Sequence, residues 1–185
     1  SPAKSSKESD SFSIAMFNGH LLEDRLIPYP KPDSAQWDAI VELATRFGAD
    51  INAKKIDEDA KIPAEVIDSM KQMGLFGMII PEEFGGFGLG QTGYSKVMET
   101  MVQIDPSLTI TLGAHQSIGL KGLLLFGTDE QKKKYLPRLA TGEIVAAFAL
   151  TEPTSGSDAQ SIKTKAKLSA DGKYYILNGS KLWIT

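Results

Sequence analysis

A short loop near the end of the sequence carries the side chains best suited to bind a ligand. An apolar run ends at Leu150, and the chain then reads TEPTSGSDAQ, a turn rich in hydroxyl groups. These hydroxyls and the free amides around Gly156 could form a concave, donor-rich lip that suits a pyrophosphate or the polar edge of a flavin. The alternative is an ordinary turn whose short polar side chains cap their own backbone. The residues alone leave the two interpretations about equal.

The segment KLWIT, at the C-terminal end of the sequence, favours the ligand-binding interpretation. We expect it to be a strand that returns beside the lip, because it follows the alternating stretch KYYILNG. On such a strand Trp183 and Thr185 face the same side. An aromatic face and a hydroxyl beside a donor-rich loop meet the requirements of a flavin ring.

Other kinds of chemistry have little support in the composition. The chain has no Cys, and its two histidines, His20 and His115, lie far apart, so we predict no metal site. His115 falls in an apolar segment, where a hydrogen-bonded core histidine is more common than a ligand or base. The chain has 20 basic and 23 acidic residues, which argues against nucleic acid as a partner.

The glycine-rich stretch GGFGLG at 85–90 invites comparison with a dinucleotide-binding loop. The pattern G-x-G-x-x-G starting at Gly86 would need a glycine where Gln91 stands, and no βαβ unit surrounds it. We therefore predict a compact turn in which the backbone passes close to another element.

A helical pattern covers residues 34–142, and a strand pattern follows it. Apolar residues recur at helical spacing in about five segments, and 106–127 is apolar nearly all round, which predicts one continuous buried helix. From Ile144 onward, IVAAFAL, IKTKAKLS, KYYILNG and KLWIT predict strands, with turns at SADG and at Asn178-Gly179. The fold class is therefore α+β, an all-α domain followed by the first strands of an antiparallel sheet.

We divide the chain into three parts: 1–33, 34–142 and 143–185. The first part is predicted to be a disordered tail to about residue 12 and then an extended leader, since Pro30 and Pro32 disfavour a helix. No apolar stretch reaches the ~18–20 residues of a membrane span, and no secretory or transit signal is recognisable. The last strand stops in mid-pattern, so we expect the front part of a larger protein.

Four ordered motifs resemble the acyl-CoA dehydrogenase family. AFALTEPTSGSDAQSIKTKA and YYILNGSKLWIT look like its two flavin-contacting signatures, and IIPEEFGGFGLG and FGTDEQKKKYLPRLATGE resemble two further segments. The resemblance covers about residues 36–185. ITLGAHQSIGLKGLLLFGT and IPYPKPD are most similar to the very-long-chain branch. The family resemblance implies that the sheet is the start of a barrel-like middle domain, and that a C-terminal helical domain lies outside these residues.

The resemblance implies FAD as cofactor and assigns residues to it. Phe148, Leu150 and Thr151 would border the isoalloxazine, and Gly156 and Ser157 would meet the pyrophosphate. Ser157 would also contact the acyl-CoA substrate. The C-terminal contacts would be Trp183 and Ile184 against the ring and Thr185 at flavin N5.

The same resemblance implies oxidation of a long fatty acyl-CoA to the trans-2-enoyl-CoA in fatty-acid β-oxidation. A glutamate removes the α-proton, N5 of FAD takes the β-hydride, and an electron-transfer flavoprotein accepts the electrons. It further implies a homodimer in the mitochondrial matrix, with peripheral association with the inner membrane as a further option.

The family's catalytic glutamate lies far downstream, so no catalytic residue is expected in this chain, and the fragment by itself is expected to be inactive. Glu152 is interpreted instead as a carboxylate that fixes the loop. Small residues at Gly113, Ala114, Ser117 and Gly119 either line an acyl tunnel or only allow close helix packing, and both readings stay open. A flavin oxidase or monooxygenase on the same scaffold, or a non-catalytic assembly subunit, are the alternative functions.

Overall fold

The computed structural model describes residues 11–28 and 35–184, with the side chains of 35–37 and 40 left aside. Within these ranges the chain forms eight α-helices and one two-stranded antiparallel sheet. The elements are α1 (Phe12–Phe17), α2 (Ala35–Ala49), α3 (Ala53–Asp59), α4 (Ala64–Gln72), α5 (Gln91–Ile104), α6 (Pro106–Gly113), α7 (Lys121–Phe126), α8 (Asp129–Ala140), β1 (Lys165–Leu168) and β2 (Tyr175–Asn178). The predicted α+β class, helices first and antiparallel strands after them, is confirmed.

Capping residues explain where two of the helices begin. Thr128 accepts a hydrogen bond from the backbone N–H of Gln131 at 3.2 Å, and the Gln131 side chain accepts one from the Thr128 N–H at 2.9 Å. The two bonds form a capping box, which fixes the first turn of α8. The Asp105 carboxylate accepts the Ser107 N–H at 2.7 Å and so caps α6, whose first residue is Pro106.

Two hydrophobic clusters form the core. The larger one contains residues from each of the helices α2 to α6. The smaller one contains residues of α8 together with Ile80 and Leu120. The larger cluster contains Ala44, Ile56, Met70, Leu75, Phe76, Met78, Val97, Met101, Leu108 and Leu112. Met70, Met78 and Met101 pack in this cluster, where a flexible thioether side chain fills irregular gaps well.

The buried helix predicted over 106–127 is not continuous. A π-helical turn, Ala114–Gly119, separates α6 from α7. Successive side chains of an α-helix point about 100° apart. In the wider turn the adjacent residues His115 and Gln116 are both fully buried. Periodicity gave no sign of this interruption, because the whole segment is apolar.

One prediction for the N-terminal part needs correction. The leader is not uniformly extended, because it contains α1 and a 3₁₀ turn at Glu23–Arg25. Further along the chain, the short helix α3 buries Ile56 in the larger cluster. Residues 1–10, where the disordered tail was expected, lie outside the described residues, as do Pro30 and Pro32.

The glycine-rich stretch 85–90 is a compact turn, as predicted. The backbone N–H of Gly88 donates to the carbonyl of Ile80 at 2.8 Å. A Cβ on Gly86 would overlap the carbonyl oxygen of Ile80, so only glycine fits there. The stretch is therefore explained by close packing against residues 77–80.

The sheet is smaller than the sequence predicts. β1 and β2 pair with Leu168 opposite Tyr175, and the SADG turn joins them as expected. IVAAFAL and KLWIT, in contrast, are not strands, and no strand follows the Asn178-Gly179 pair in the described part of the chain. Their backbone groups bond to side chains and to single backbone partners, so no ladder forms. No helix among the described residues has the length and apolarity to cross a membrane.

Candidate functional site

Glu152 holds the lip, which we define as residues 148–157, against the start of the hairpin. Its carboxylate accepts the backbone N–H of Lys163 at 2.7 Å and that of Thr164 at 3.0 Å. The Lys181 Nζ lies 3.0 Å from the same carboxylate, whose side chain is only 3% exposed. These partners are two backbone N–H groups at the start of the hairpin and one ammonium group. The interpretation of Glu152 as a loop-fixing carboxylate therefore agrees with the geometry.

The surroundings of Glu152 favour its ionised form. The Thr164 hydroxyl and the Lys163 N–H, together with the Thr164 N–H and Lys181, lower its pKa to about 2. A carboxylate with so low a pKa is ionised at every physiological pH and has no tendency to accept a proton. It is therefore unsuited to act as a general base.

Lys181 and Leu182 fasten the other side of the lip. The Lys181 Nζ donates to the carbonyl of Leu150 at 2.9 Å, and the Leu182 N–H donates to the carbonyl of Thr151 at 3.0 Å. The segment KLWIT therefore does return beside the lip, although it is not a strand. Sequence reasoning missed Lys181, because its partners Glu152 and Leu150 lie about thirty residues earlier in the chain.

The far end of the lip closes on itself. Glu152 and Ser155 exchange two backbone hydrogen bonds, 3.0 and 3.1 Å long, which make a tight turn. The buried Ser155 hydroxyl donates to the carbonyl of Asp158 at 2.6 Å. Its hydroxyl therefore caps the turn, whereas the exposed Thr154 and Ser157 and the half-buried Thr151 still offer hydroxyls to a ligand.

The lip presents apolar side chains and open backbone to solvent. Phe148 is 51% exposed, and Trp183 on the neighbouring segment is 85% exposed. Gly156 is exposed, and a Cβ added to it would meet no atom within 4 Å, so open space lies beside its backbone. Large exposed aromatic side chains beside open amides and hydroxyls suit a ligand that has an apolar ring and a polar, anionic part.

Trp183 has a backbone φ of +57°, in the left-handed region that residues other than glycine rarely adopt. The preceding Leu182 is fixed by its hydrogen bond to Thr151. Such conformations cluster at ligand sites, where the surrounding structure determines them. The predicted alternation that put Trp183 and Thr185 on one side of a strand is therefore wrong for Trp183, and Thr185 lies outside the described residues.

The π-helical turn fixes the residues that lead into the lip. The His115 Nδ1 accepts the backbone N–H of Ala146 at 3.0 Å, and its Nε2 lies 3.1 Å from the carbonyl of Leu139. A Cβ on Gly119 would lie only 2.8 Å from the Ala146 Cβ. His115 is therefore a hydrogen-bonded core histidine, as predicted, and Gly119 serves close packing.

A small cavity of about 100 Å³ lies beside the same turn, lined by Ile79, Gln91, Tyr94, Ser117 and Lys121. A Cβ on Gly113 would lie 3.9 Å from the Tyr94 hydroxyl and 3.5 Å from the Met98 methyl group. Burial raises the pKa of the Tyr94 phenol, which is therefore neutral at physiological pH. Ser117 thus lines the cavity, and Gly113 lies next to Tyr94, which also lines it. Gly119 packs against Ala146 instead.

Two family patterns match consecutive parts of the chain. Residues 34–143 match the N-terminal domain of acyl-CoA dehydrogenases, and residues 147–185 match the acyl-CoA dehydrogenase middle domain. The first match contains α2 to α8 and the π-helical turn. The second contains the lip, the hairpin and the segment that carries Trp183.

The sequence is also similar to mitochondrial enzymes of known name. The very long-chain specific acyl-CoA dehydrogenases of Homo sapiens and Macaca fascicularis are each 49% identical to it over 189 residues. The alignments cover 100% of this chain and 28% of each relative. The chain therefore spans little more than a quarter of the length of these curated relatives.

A solved structure matches in fold as well as in sequence. The acyl-CoA dehydrogenase from Bacillus anthracis, complexed with FAD, superposes with a TM-score of 0.75 and is 40% identical to this chain. The superposition covers 84% of this chain and 27% of that one.

Proposed function

Because the chain belongs to the acyl-CoA dehydrogenase family, we propose that it is the N-terminal portion of an FAD-dependent dehydrogenase of long fatty acyl-CoA. The reaction is the oxidation of the Cα–Cβ bond to a trans-2-enoyl-CoA in fatty-acid β-oxidation. The lip carries this proposal, since it presents the exposed Phe148 ring, the open backbone at Gly156 and exposed hydroxyls on a loop that Glu152 anchors. The very-long-chain relatives support a long acyl group.

The residues at the lip fit FAD. Phe148, Leu150, Trp183 and Ile184 supply exposed apolar surface for the isoalloxazine, and Thr151 supplies a hydroxyl near its pyrimidine edge. Gly156 and Ser157 supply an open amide and an exposed hydroxyl for the pyrophosphate, with Ser157 also beside the acyl-CoA. Thr185 completes the proposed set at N5. Bound FAD supplies the two-electron oxidation.

The lip binds and orients the flavin ring, and residues elsewhere in the protein remove the α-proton of the substrate. The lip fixes the ring, so that substrate and cofactor meet in one geometry. No carboxylate of the lip is free for the α-proton, because Glu152 is fully engaged. As the family resemblance implies, the catalytic glutamate is proposed to lie in a C-terminal helical domain beyond Thr185, together with the remaining contacts of the homodimer.

The acyl chain is proposed to run beside the π-helical turn. Ser117 and Tyr94 line the cavity there, and Gly113 leaves the space next to Met98 unfilled. Of the four small residues considered for an acyl tunnel, Gly119 is assigned to close packing against Ala146. The tunnel proposal therefore rests on Gly113, Ala114 and Ser117.

The parts and partners of the whole protein follow from the family. We propose a leader over 1–33, a helical domain over 34–142 and the start of a barrel-like middle domain over 143–185. An electron-transfer flavoprotein accepts the electrons. The mitochondrial relatives support a location in the mitochondrial matrix, with peripheral inner-membrane association contributed by other parts of the protein.

The test is made on the purified full-length protein. We expect a visible flavin spectrum and turnover of palmitoyl-CoA that requires an electron acceptor other than oxygen. Rapid peroxide formation without that acceptor would indicate a flavin oxidase or monooxygenase instead. A protein that binds no FAD would be a non-catalytic relative, and residues 1–185 turning over palmitoyl-CoA alone would contradict the placement of the base outside this chain.

A further inference from the structure

His115 makes two directional contacts from a position that water does not reach. Its ring is fully buried, and the ring of Phe76 approaches it edge-on, with the ring centroids 5.3 Å apart. The Ala146 N–H points at Nδ1, so that nitrogen is the acceptor, and Nε2 carries the hydrogen that is donated to Leu139. Burial lowers the pKa of His115, which agrees with this neutral tautomer.

The Ala146 contact lies immediately before the lip. Phe148, the first residue of the lip, is two positions further along the chain. Within the described residues the run IVAAFAL pairs with no strand, and the bond from the Ala146 N–H to His115 ties it to the helical body. The close approach of Gly119 to Ala146 adds a second contact between the same two segments.

We propose that His115 is a positioning residue for the flavin site: its Nδ1 fixes residues 146–151 relative to the helical body and thereby sets where the lip meets the isoalloxazine. This inference rests on the proposed function, since it assumes that the lip borders FAD. His115 does not touch substrate or cofactor. Its effect passes through the Ala146 N–H to Phe148, Leu150 and Thr151.

The neighbouring Gln116 separates positioning from ordinary core stability. It is equally buried and also makes two hydrogen bonds, from its amide to the Leu75 carbonyl at 2.9 Å and from the Ile79 N–H at 3.2 Å. Both of its partners belong to the helical body. Loss of Gln116 therefore weakens the core without releasing the lip.

Three variants of the full-length flavoprotein test the proposal: His115→Asn, His115→Gln and Gln116→Met. An asparagine amide oxygen lies near the position of imidazole Nδ1 and keeps an acceptor for Ala146, whereas a glutamine amide reaches toward Leu139 and leaves the Ala146 N–H unpaired. The Ala146 N–H is partly buried, so leaving it unpaired has a free-energy cost that favours displacement of the segment. The measurements are the dissociation constant of FAD, the flavin absorption spectrum and the melting temperature.

We expect His115→Gln to weaken FAD binding about tenfold, equivalent to ~1.4 kcal/mol, and to shift the flavin spectrum. His115→Asn should stay within about threefold of the wild type, and so should Gln116→Met, although both lose thermal stability.

Equal FAD affinity in all three variants would refute the positioning role while leaving the flavin site intact. A His115→Asn protein that fails to fold, or that loses FAD as His115→Gln does, would also refute it. The packing of the imidazole ring, rather than its bond to Ala146, would then account for the loss. A wild-type protein without FAD would instead refute the proposed function itself.

Discussion

The ammonium group of Lys181 bridges two groups of the lip, the Glu152 carboxylate at 3.0 Å and the Leu150 carbonyl at 2.9 Å. These two groups flank Thr151, whose own carbonyl accepts the Leu182 N–H. The residue proposed to meet the pyrimidine edge of the flavin is therefore held from both sides by one short segment. The position of this segment depends on contacts that are distant in sequence.

Replacing Lys181 by methionine should loosen the lip with little change in side-chain volume. The Leu150 carbonyl then loses its partner, and Glu152 keeps donors from Lys163 and Thr164 alone. We expect FAD affinity of the full-length protein to fall about tenfold, because a lost charge-assisted hydrogen bond is worth roughly 1.5–3 kcal/mol. Fluorescence titration with FAD measures this. Lys173→Met, on the exposed hairpin turn, is the control and should bind FAD normally.

The low pKa of Glu152 makes the stability of the fold depend on pH in one direction. The unfolded glutamate takes up a proton near pH 4.3, whereas the folded one resists down to a pKa of about 2. The stabilisation by the ionised carboxylate is therefore complete above about pH 4.3 and is lost as the pH falls toward 2.

Urea unfolding of the wild type and of Glu152→Gln between pH 7 and pH 3 checks this dependence. The wild type should be the more stable protein at pH 7, and the difference should shrink below about pH 4.3. A difference that is constant over the whole range would mean that the charge of Glu152 contributes nothing.

A bulky residue at Gly113 should shorten the acyl chains that the full-length enzyme prefers. A leucine side chain there would extend toward Met98 and Tyr94 and fill the space next to the cavity. We expect kcat/KM for palmitoyl-CoA to fall at least about tenfold relative to octanoyl-CoA, since binding energy from distant methylenes contributes to turnover. Gly122→Leu is the matched control, because a Cβ there meets no atom within 4 Å. An unchanged chain-length profile for Gly113→Leu would rule out the tunnel.

Substitution by alanine should lower the stability of the protein much more at Met101, in the larger core cluster, than at the adjacent Val102. Met101 is fully buried among α2, α5 and α6, whereas Val102 is 43% exposed on the same helix. Met101→Ala is expected to lower the free energy of unfolding by roughly 2–5 kcal/mol through lost burial and the cavity it leaves. Val102→Ala should cost less than about 1 kcal/mol. Chemical denaturation of both variants gives the comparison.

Local chemistry made part of this fold predictable. The capping box of Thr128 and Gln131, the compact glycine turn at 85–90 and the SADG hairpin all depend on residues close together in sequence. The structural character of Glu152 was also predictable, though only after the family resemblance had assigned the base elsewhere. The individual flavin contacts stay predictions, because they depend on a cofactor and on further chain.

Two predicted strands have no partner strand among the described residues. IVAAFAL has the composition of a buried strand, and there the Ala146 N–H bonds to His115, thirty-one positions earlier in the chain. KLWIT alternates like a strand, yet the Lys181 side chain bonds to the Leu150 carbonyl of the lip. The backbone of Trp183 is in the left-handed region, which a regular strand does not contain. Periodicity reports on the face that a segment buries and says nothing about which side chain completes a backbone hydrogen bond.

The π-helical turn Ala114–Gly119 has a consequence for how this helix tolerates changes in length. Such a turn holds one residue more than the same stretch of α-helix. Removing one residue from it would allow a regular α-helix from Pro106 onward, in which the side chains after the turn, Leu120 among them, keep their present directions. His115 and Gln116 could then no longer both point into the core, so the deletion should break the hydrogen bonds of the turn itself and leave the two flanking helical faces in register.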